Sequence, residues 1–328
     1  MPNSLTDIEG VLVGHATDEQ AATGCTVVLL PEGTTGGVDV RGGAASTRGT
    51  LTLDPGNVVE HVDALVLTGG SAFGLDAVCG VIDWLEERGR GFDVGVTRVP
   101  IVAGAVLFDL AVGAPRVRPD KAMGRAACDA ASASPPAEGN VGAGTGASVG
   151  KLYGVQYACK GGVGSASVKL GEGVTVGALV AVNAFGDVID PATGEIVAGA
   201  RDPATGRFAN TTARMKSGTH RPSFGTPATN TVIGVVATDA ALTKVEANRV
   251  ALMAQDGLAR AVRPAHTLFD GDTLFAAATG RLPGDVNTIG AAAAEMVQEA
   301  ILRAVRAAAS LHGVPNGGEI PQGQGPYH

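Results

Sequence analysis

TPATNTVIGVVATDA, residues 226–240, changes character at one bond. Up to Asn230 it is polar and turn-forming; from Thr231 it is a run of β-branched and small apolar residues that reads as a buried strand. Downstream, Thr243 and Glu246 have the spacing of a capping box, and the helix they start is expected to end near Arg263-Pro264. A last helix is expected over about 289–312, with Val297, Ala300, Ile301, Ala304, Val305 and Ala308 on one face and Gly313 beyond it. Upstream, CTVVLL (25–30), VDALVLTGG (62–70) and VTVGALVAVNAF (174–185) read as further strands. The Gly69-Gly70 turn then leads into a helix from about Phe73 to Arg88, with Ser71 as its N-cap and Leu75, Val78, Cys79, Ile82 and Leu85 inward. Strands this apolar leave no sheet face open to water, so the pattern predicts a layered domain of mixed α and β structure.

The stretch before Asn230 is different. It repeats D-P-A-T-G at 190–194 and 202–206 and loses apolar periodicity after Ala200, so residues 201–229 are expected to form an exposed, mobile loop. From composition alone it is a linker; its abrupt end also suits a processing segment that delivers a chain break to the start of a buried strand. Asn-Thr occurs twice here. Asn210-Thr211 is followed by polar TARMKSG, where a new terminus would hang in solvent, whereas Thr231 begins a strand that would hold a nucleophile rigidly.

Composition narrows the function. The 328 residues include 49 glycines, about twice the usual ~7%, yet 45% are hydrophobic, which excludes disorder, and there is no collagen period. The glycines are therefore expected in tight turns and close backbone packing. A net charge of −8 with scattered basic residues argues against nucleic acid or an anionic membrane as partner. The N-terminal residues have no signal-peptide pattern and no run is long enough to span a membrane, so a cytoplasmic protein is expected. Cys25, Cys79, Cys128 and Cys159 are isolated and read as buried small hydrophobes; with no paired histidines, no metal is expected.

Three glycine-rich matches fail on spacing. GGSAFG (69–74) has Phe73 where a nucleophile elbow needs glycine. GTGASVGK (144–151) has five residues between Gly144 and Gly150, and Leu152 in place of the Ser or Thr that would hold magnesium. GAGTGASVG (142–150) lacks the dinucleotide-binding spacing, leaving a loop whose amides could approach something closely.

Longer motifs carry a resemblance. LTDIEGVLVGHATD (5–18), VDVRGGAASTRGT (38–50), LTGGSAFGLDAVCGV (67–81), PIVAGAVLFDL (100–110), VGAGTGASVGK (141–151), TPATNTVIGVVATDA and RPAHTLFDGDTLFAAATG (263–280) follow one another in the order found in one family. Over nearly its whole length the chain resembles the L-aminopeptidase/D-esterase family. That family includes D-stereospecific aminopeptidases, β-aminopeptidases and nylon-oligomer hydrolases, and is akin in fold to ornithine acetyltransferase. The resemblance implies an α+β fold, a four-layer αββα sandwich, forming a single domain over 1–328 that cleaves itself at Asn230-Thr231 into 1–230 and 231–328. Thr231 would then be an N-terminal nucleophile acting on a small peptide or amide through an acyl-enzyme, with no cofactor, in a homo-oligomer, often a tetramer of processed protomers. A freed α-amine, with an ordinary pKa of ~7.7–8.0, is a suitable general base for a hydroxyl that is otherwise a poor nucleophile.

By the same resemblance, Asp270 and Asp272 of DGDT stand behind the nucleophile, Asp272 nearer the amine. Lys151 tunes the amine, and the Asn183 amide donates to the tetrahedral oxyanion. Gly69, Gly70, Ser71, Phe108 and Gly144 line the substrate side. Phe108 departs from the Tyr of better-known branches; a phenyl ring donates no hydrogen bond, so the oxyanion hole falls to Asn183 and backbone amides, or substrate binding differs. Asn-Thr-Val at the junction differs from the Thr-Met neighbourhood of ornithine acetyltransferases, which favours water as acyl acceptor. An acyltransferase and an unprocessed binding protein are the alternative readings.

Overall fold

The computed structural model describes residues 3–171, 173–219 and 230–323. Ten strands build two five-stranded sheets: β1 (Leu12–Asp18), β2 (Thr23–Leu29), β3 (Thr35–Val40), β4 (Thr47–Arg48), β5 (Ala64–Thr68), β6 (Val102–Val106), β7 (Gly162–Lys169), β8 (Thr175–Asn183), β9 (Thr231–Ala240) and β10 (Thr273–Leu282). The first sheet runs β1-β2-β5-β6-β4 and the second β7-β8-β9-β10-β3. Within each, one parallel pair, β5 with β6 and β9 with β10, lies among antiparallel neighbours. The helices are α1 (Asp76–Glu86), α2 (Lys121–Asp129), the short α3 (Thr211–Lys216), α4 (Lys244–Ala261) and α5 (Val286–Ala307).

Period-two alternation sorts each strand between two layers. In β9, Ile233, Val235 and Ala237 enter a core between the sheets together with Val28, Leu65, Leu67, Leu179 and Phe275. Val232 and Val236 face the other way, against Val250, Ala254, Leu258, Val297 and Ile301 of α4 and α5. On the far side, Val27, Val66 and Val102 pack on Val78, Val81 and Leu85 of α1 and Ala127 of α2. The result is the expected αββα sandwich. Glycine lets the helices close onto the sheets: a Cβ on Gly14 would lie 1.9 Å from the Ala127 carbonyl oxygen of α2, and one on Gly164 2.1 Å from that of Ala300 in α5.

Several local expectations are met. β9 begins and ends at the residues the sequence marks, and the Thr243–Glu246 capping box starts α4. Others need correction. Ser71 is not an N-cap: Gly70 (φ +81) precedes a 3-10 turn over Ser71–Leu75, Ser71 itself has φ +55, and α1 starts only at Asp76. Cys79 is partly exposed and receives Arg48 Nη1 at 2.7 Å from its sulfur, whereas Cys25, Cys128 and Cys159 are buried. α5 stops at Ala307, short of Gly313, because Ala308 is extended and Asn140 takes both backbone groups of Ala309.

Residues 201–219 are not a loose loop. Arg201 bridges to Phe208, both D-P-A-T-G copies close the same Asp-capped turn, and Thr211 is fully buried at the head of α3. The anchor is the buried Asp187, which accepts from Ala200 N (2.8 Å), Thr211 N (2.6 Å) and Thr211 Oγ1 (2.7 Å). Residues 220–229 of the expected loop lie outside the described residues.

Among the described residues no helix is long and apolar enough to cross a membrane.

Candidate active site

Thr231 opens β9 on the same side as Ile233, facing the other sheet. Its cross-strand partner is Asn183, the last residue of β8, so two polar side chains meet at one end of the sandwich where the inner apolar alternation stops. Both are buried, as are Lys151, Asp270 and Asp272. Five polar groups in an apolar sandwich require partners, and the hydrogen bonds show where each is held.

Thr231 Oγ1 donates to the carbonyl oxygen of Asn230, the residue just before it. The same oxygen accepts from Gly271 N at 3.1 Å. Asn230 forms a parallel bridge with Asp270, and its side-chain nitrogen donates to Phe269 O at 3.2 Å, so the Asn230-Thr231 peptide rests on the DGD turn that leads into β10. That turn is tight by necessity. A Cβ on Gly271 would come 2.8 Å from Thr231 Oγ1, and a Cβ on Gly42 would come 2.2 Å from the Asp270 carbonyl oxygen.

The two aspartates divide the work of positioning. Asp272 accepts from Val232 N at 2.8 Å through one oxygen and from His266 N (3.1 Å) and Nδ1 (2.9 Å) through the other. Asp270 accepts from Phe185 N at 3.0 Å and from Thr267 N (3.1 Å) and Oγ1 (2.5 Å). Asp272 thus grips the residue after Thr231, and Asp270 the segment just after Asn183. Burial, reinforced by the neighbouring Asp272 carboxylate, pushes the Asp270 carboxyl up to about 7 despite its donors.

Lys151 Nζ reaches Asn183 twice, at 2.6 Å to Oδ1 and 3.0 Å to the backbone oxygen, and Ser148 N donates to the same Oδ1 at 2.9 Å. Asn183 Nδ2 donates to Phe108 O at 3.0 Å. With Oδ1 fixed by donors, the amide nitrogen is oriented as a donor.

The glycine-rich residues sit around this core in different ways. Gly70 N donates to Asp109 Oδ1 at 2.8 Å and Ser71 N to Leu107 O at 2.9 Å, which ties the turn after β5 to the Phe108 segment after β6. Gly69 belongs to the same turn, where a Cβ would meet Asp109 Oδ2 at 1.9 Å. Gly144 lies one layer behind: it is buried against Val163, with its amide bonded to Val141 O. The 142–150 loop presents both an amide, that of Ser148 on Asn183 Oδ1, and carbonyls. Those of Thr145 and Ala147 accept Lys160 Nζ at 2.8 and 2.6 Å.

Four participants escape sequence reasoning. His266 and the Gly271 amide are described above. Asp109 and Lys160 form a second buried charged layer behind the site, where burial outweighs their mutual attraction, raising the Asp109 carboxyl and bringing Lys160 down to about 7. A lone lysine inside YACKGGVGSAS was the available sign of it. Among the described residues no group of three or more His, Cys, Asp or Glu is gathered as a metal would require.

Comparison with known proteins agrees with this architecture. The chain is 46% identical to an uncharacterized aminopeptidase of Mycobacterium leprae, over 95% of this chain and 92% of that one. It is 34% identical to the 6-aminohexanoate-oligomer endohydrolase of Paenarthrobacter ureafaciens, over 91% and 84%. Among solved structures it is similar to a Burkholderia β-aminopeptidase, with a TM-score of 0.69 at 26% identity over 96% of this chain and 90% of that one. It shares its fold with the L-aminopeptidase D-Ala-esterase/amidase of Ochrobactrum anthropi, described as a variant of the Ntn hydrolase fold, with a TM-score of 0.69 at 23% identity over 94% and 87%. The sequence model of Peptidase family S58 matches residues 3–317, and the chain belongs to that family.

Proposed function

We propose that this protein is a self-processing hydrolase of peptide or other amide bonds, in which Thr231 first cleaves its own chain and then serves as the N-terminal nucleophile. The observation that carries the reading is the contact of Thr231 Oγ1 with the carbonyl group just upstream of it, at the first residue of a rigid strand. Addition of Oγ to the Asn230 carbonyl carbon and loss of the Thr231 nitrogen give an ester; water hydrolyses it, leaving fragments 1–230 and 231–328. The pieces stay together, because β9 and β10 of the smaller fragment are flanked in the sheet by β8 and β3 of the larger.

In the processed enzyme the freed α-amine takes the Oγ proton as Oγ attacks a substrate carbonyl. Asp272, bonded to Val232 N, fixes the backbone next to that amine, and Asp270 fixes the segment after Asn183. The Asn183 amide, clamped by Lys151 and Ser148, stabilises the substrate oxyanion. Collapse expels the amine, and water releases the acid from the acyl-enzyme. An amide or peptide with a free amino terminus is the expected substrate, in keeping with the aminopeptidase relatives.

Intact mass spectrometry of purified protein, with an aminoacyl p-nitroanilide and amide panel, tests this. Two species divided at Asn230-Thr231 and release of free acid are expected. A single 328-residue species that persists on long incubation would overturn the mechanism.

A further inference from the structure

Self-cleavage and substrate hydrolysis each build a tetrahedral oxyanion beside Thr231, but the two oxygens need not occupy one place. In self-cleavage the oxygen is that of Asn230, and its surroundings are visible in the unbroken chain. The nitrogen of Gly271 lies 3.1 Å from it, within the range in which a fixed amide stabilises developing charge. We propose that the Gly271 backbone amide is the oxyanion donor for cleavage of the Asn230-Thr231 bond, a site distinct from the Asn183 amide proposed to serve the substrate. This inference rests on the self-processing reading.

The amide is pinned on both sides. Ala44 N donates to Asp270 O at 2.8 Å, and Thr273 Oγ1 donates to Gly271 O at 3.0 Å. Arg41 N donates to Asp272 O at 2.9 Å, so consecutive residues of the turn are each held by a neighbour. A donor fixed in this way needs no reorganisation when charge appears. The residue must be glycine for a related reason: its missing side chain leaves the space into which Thr231 Oγ1 projects. Topology separates the two donors. β9 lies between β8, which ends in Asn183, and β10, which the Gly271 turn enters, so the donors approach Thr231 from opposite neighbouring strands.

The step balances without a further reagent until hydrolysis. Oγ bonds to the Asn230 carbon, the carbonyl oxygen takes the negative charge under the Gly271 amide, and the carbon–nitrogen bond breaks. The Oγ proton ends on the departing Thr231 nitrogen. Water then adds to the ester through a second oxyanion at the same oxygen, yielding the Asn230 carboxylate and the restored hydroxyl.

The test replaces the amide at Gly271 with an ester by incorporating glycolic acid there, which removes the N–H and adds no side chain. Conversion of the full-length chain is followed by intact mass. Loss of one oxyanion donor is expected to slow cleavage by about 10²–10³-fold. An ester chain that cleaves at the wild-type rate, beside a cleaving wild type, overturns this inference alone; a wild type that stays whole removes the self-processing reading as well. A second measurement does not depend on how the ester chain folds. In the Thr231→Ala chain, a through-hydrogen-bond coupling between Gly271 ¹⁵N and Asn230 ¹³C′ is expected, and its absence overturns the proposal.

Discussion

Asn210-Thr211 heads a six-residue helix, whereas Asn230-Thr231 opens a ten-residue strand. At the first junction Asn210 has φ +51 and caps α3, its carbonyl accepts Arg214 N as the first helical bond, and the Thr211 hydroxyl donates to Asp187. At the second, the hydroxyl lies on its own upstream carbonyl, and an amide from the adjacent turn meets the same oxygen. Both threonines are buried, so exposure does not distinguish them. The difference is which acceptor holds the hydroxyl: a distant carboxylate in one case, the peptide it is proposed to cleave in the other.

The sharpest way to break this comparison is to exchange its members. Thr231→Ala is expected to leave one uncleaved chain and to reduce hydrolysis by at least about 10³-fold, the scale on which losing a nucleophile is felt. Thr211→Ala should be processed and active, while losing on the order of 1–3 kcal/mol of stability through the broken bond to Asp187. Intact mass and denaturant melts separate these outcomes, and processing lost in both variants would dissolve the distinction.

Asp270 sharpens it through pH. Its carboxyl binds a proton more tightly in the folded chain, with a value raised from 3.8 to about 7, so stability contributed by the neutral form is present at low pH and lost as pH rises through that window. Asp270→Asn is therefore expected to flatten the fall in stability between pH 4 and 7, with the gain above neutrality offset because its amide nitrogen cannot accept from the donors that one carboxylate oxygen holds. Activity should fall with it, by about 10²-fold if the carboxylate positions the Asn183 side of the site. Urea melts across pH check the sign, and an unchanged pH profile would show that the group does not titrate in this window.

Asp187→Ala addresses the other junction. It removes the acceptor of three donors at once, and buried donors left unsatisfied cost about 1–3 kcal/mol each, with partial relief by relaxation. The expected result is a loss of about 2–4 kcal/mol and new proteolytic cutting within 201–219, with Asn230-Thr231 still cleaved.

The same contrast explains what the sequence made legible. β9 could be read to its first residue because chemistry changes there, and α4 because its capping box is local. Thr231, Asn183, Lys151, Asp270 and Asp272 were found through the family resemblance, and the fold gathers them at one end of the sandwich. Residues 201–219 read as a loop because their anchor, Asp187, lies outside the polar stretch, and no local pattern announces a distant carboxylate. Ser71 reads as an N-cap for the same reason: Leu107 and Asp109, after another strand, shape its turn. His266 becomes a partner of Asp272 only because the chain reverses between them, and the Gly271 amide has no side chain to read.

The smallest expected effect concerns the two asparagines. Asn210 caps a helix with its side-chain oxygen on Ala213 N at 2.9 Å, so Asn210→Ala should cost about 1 kcal/mol and leave processing alone. Asn230 uses its side-chain nitrogen instead, on Phe269 O at 3.2 Å, beside a peptide already held by Gly271. Asn230→Ala is therefore expected to slow self-cleavage by about tenfold, the equivalent of one modest hydrogen bond, without preventing it. The two variants followed side by side, by mass and by melting, should show a stability change without a rate change at 210 and the reverse emphasis at 230. A complete block in Asn230→Ala would move the decisive contact from the Thr231 hydroxyl and the Gly271 amide to the asparagine side chain.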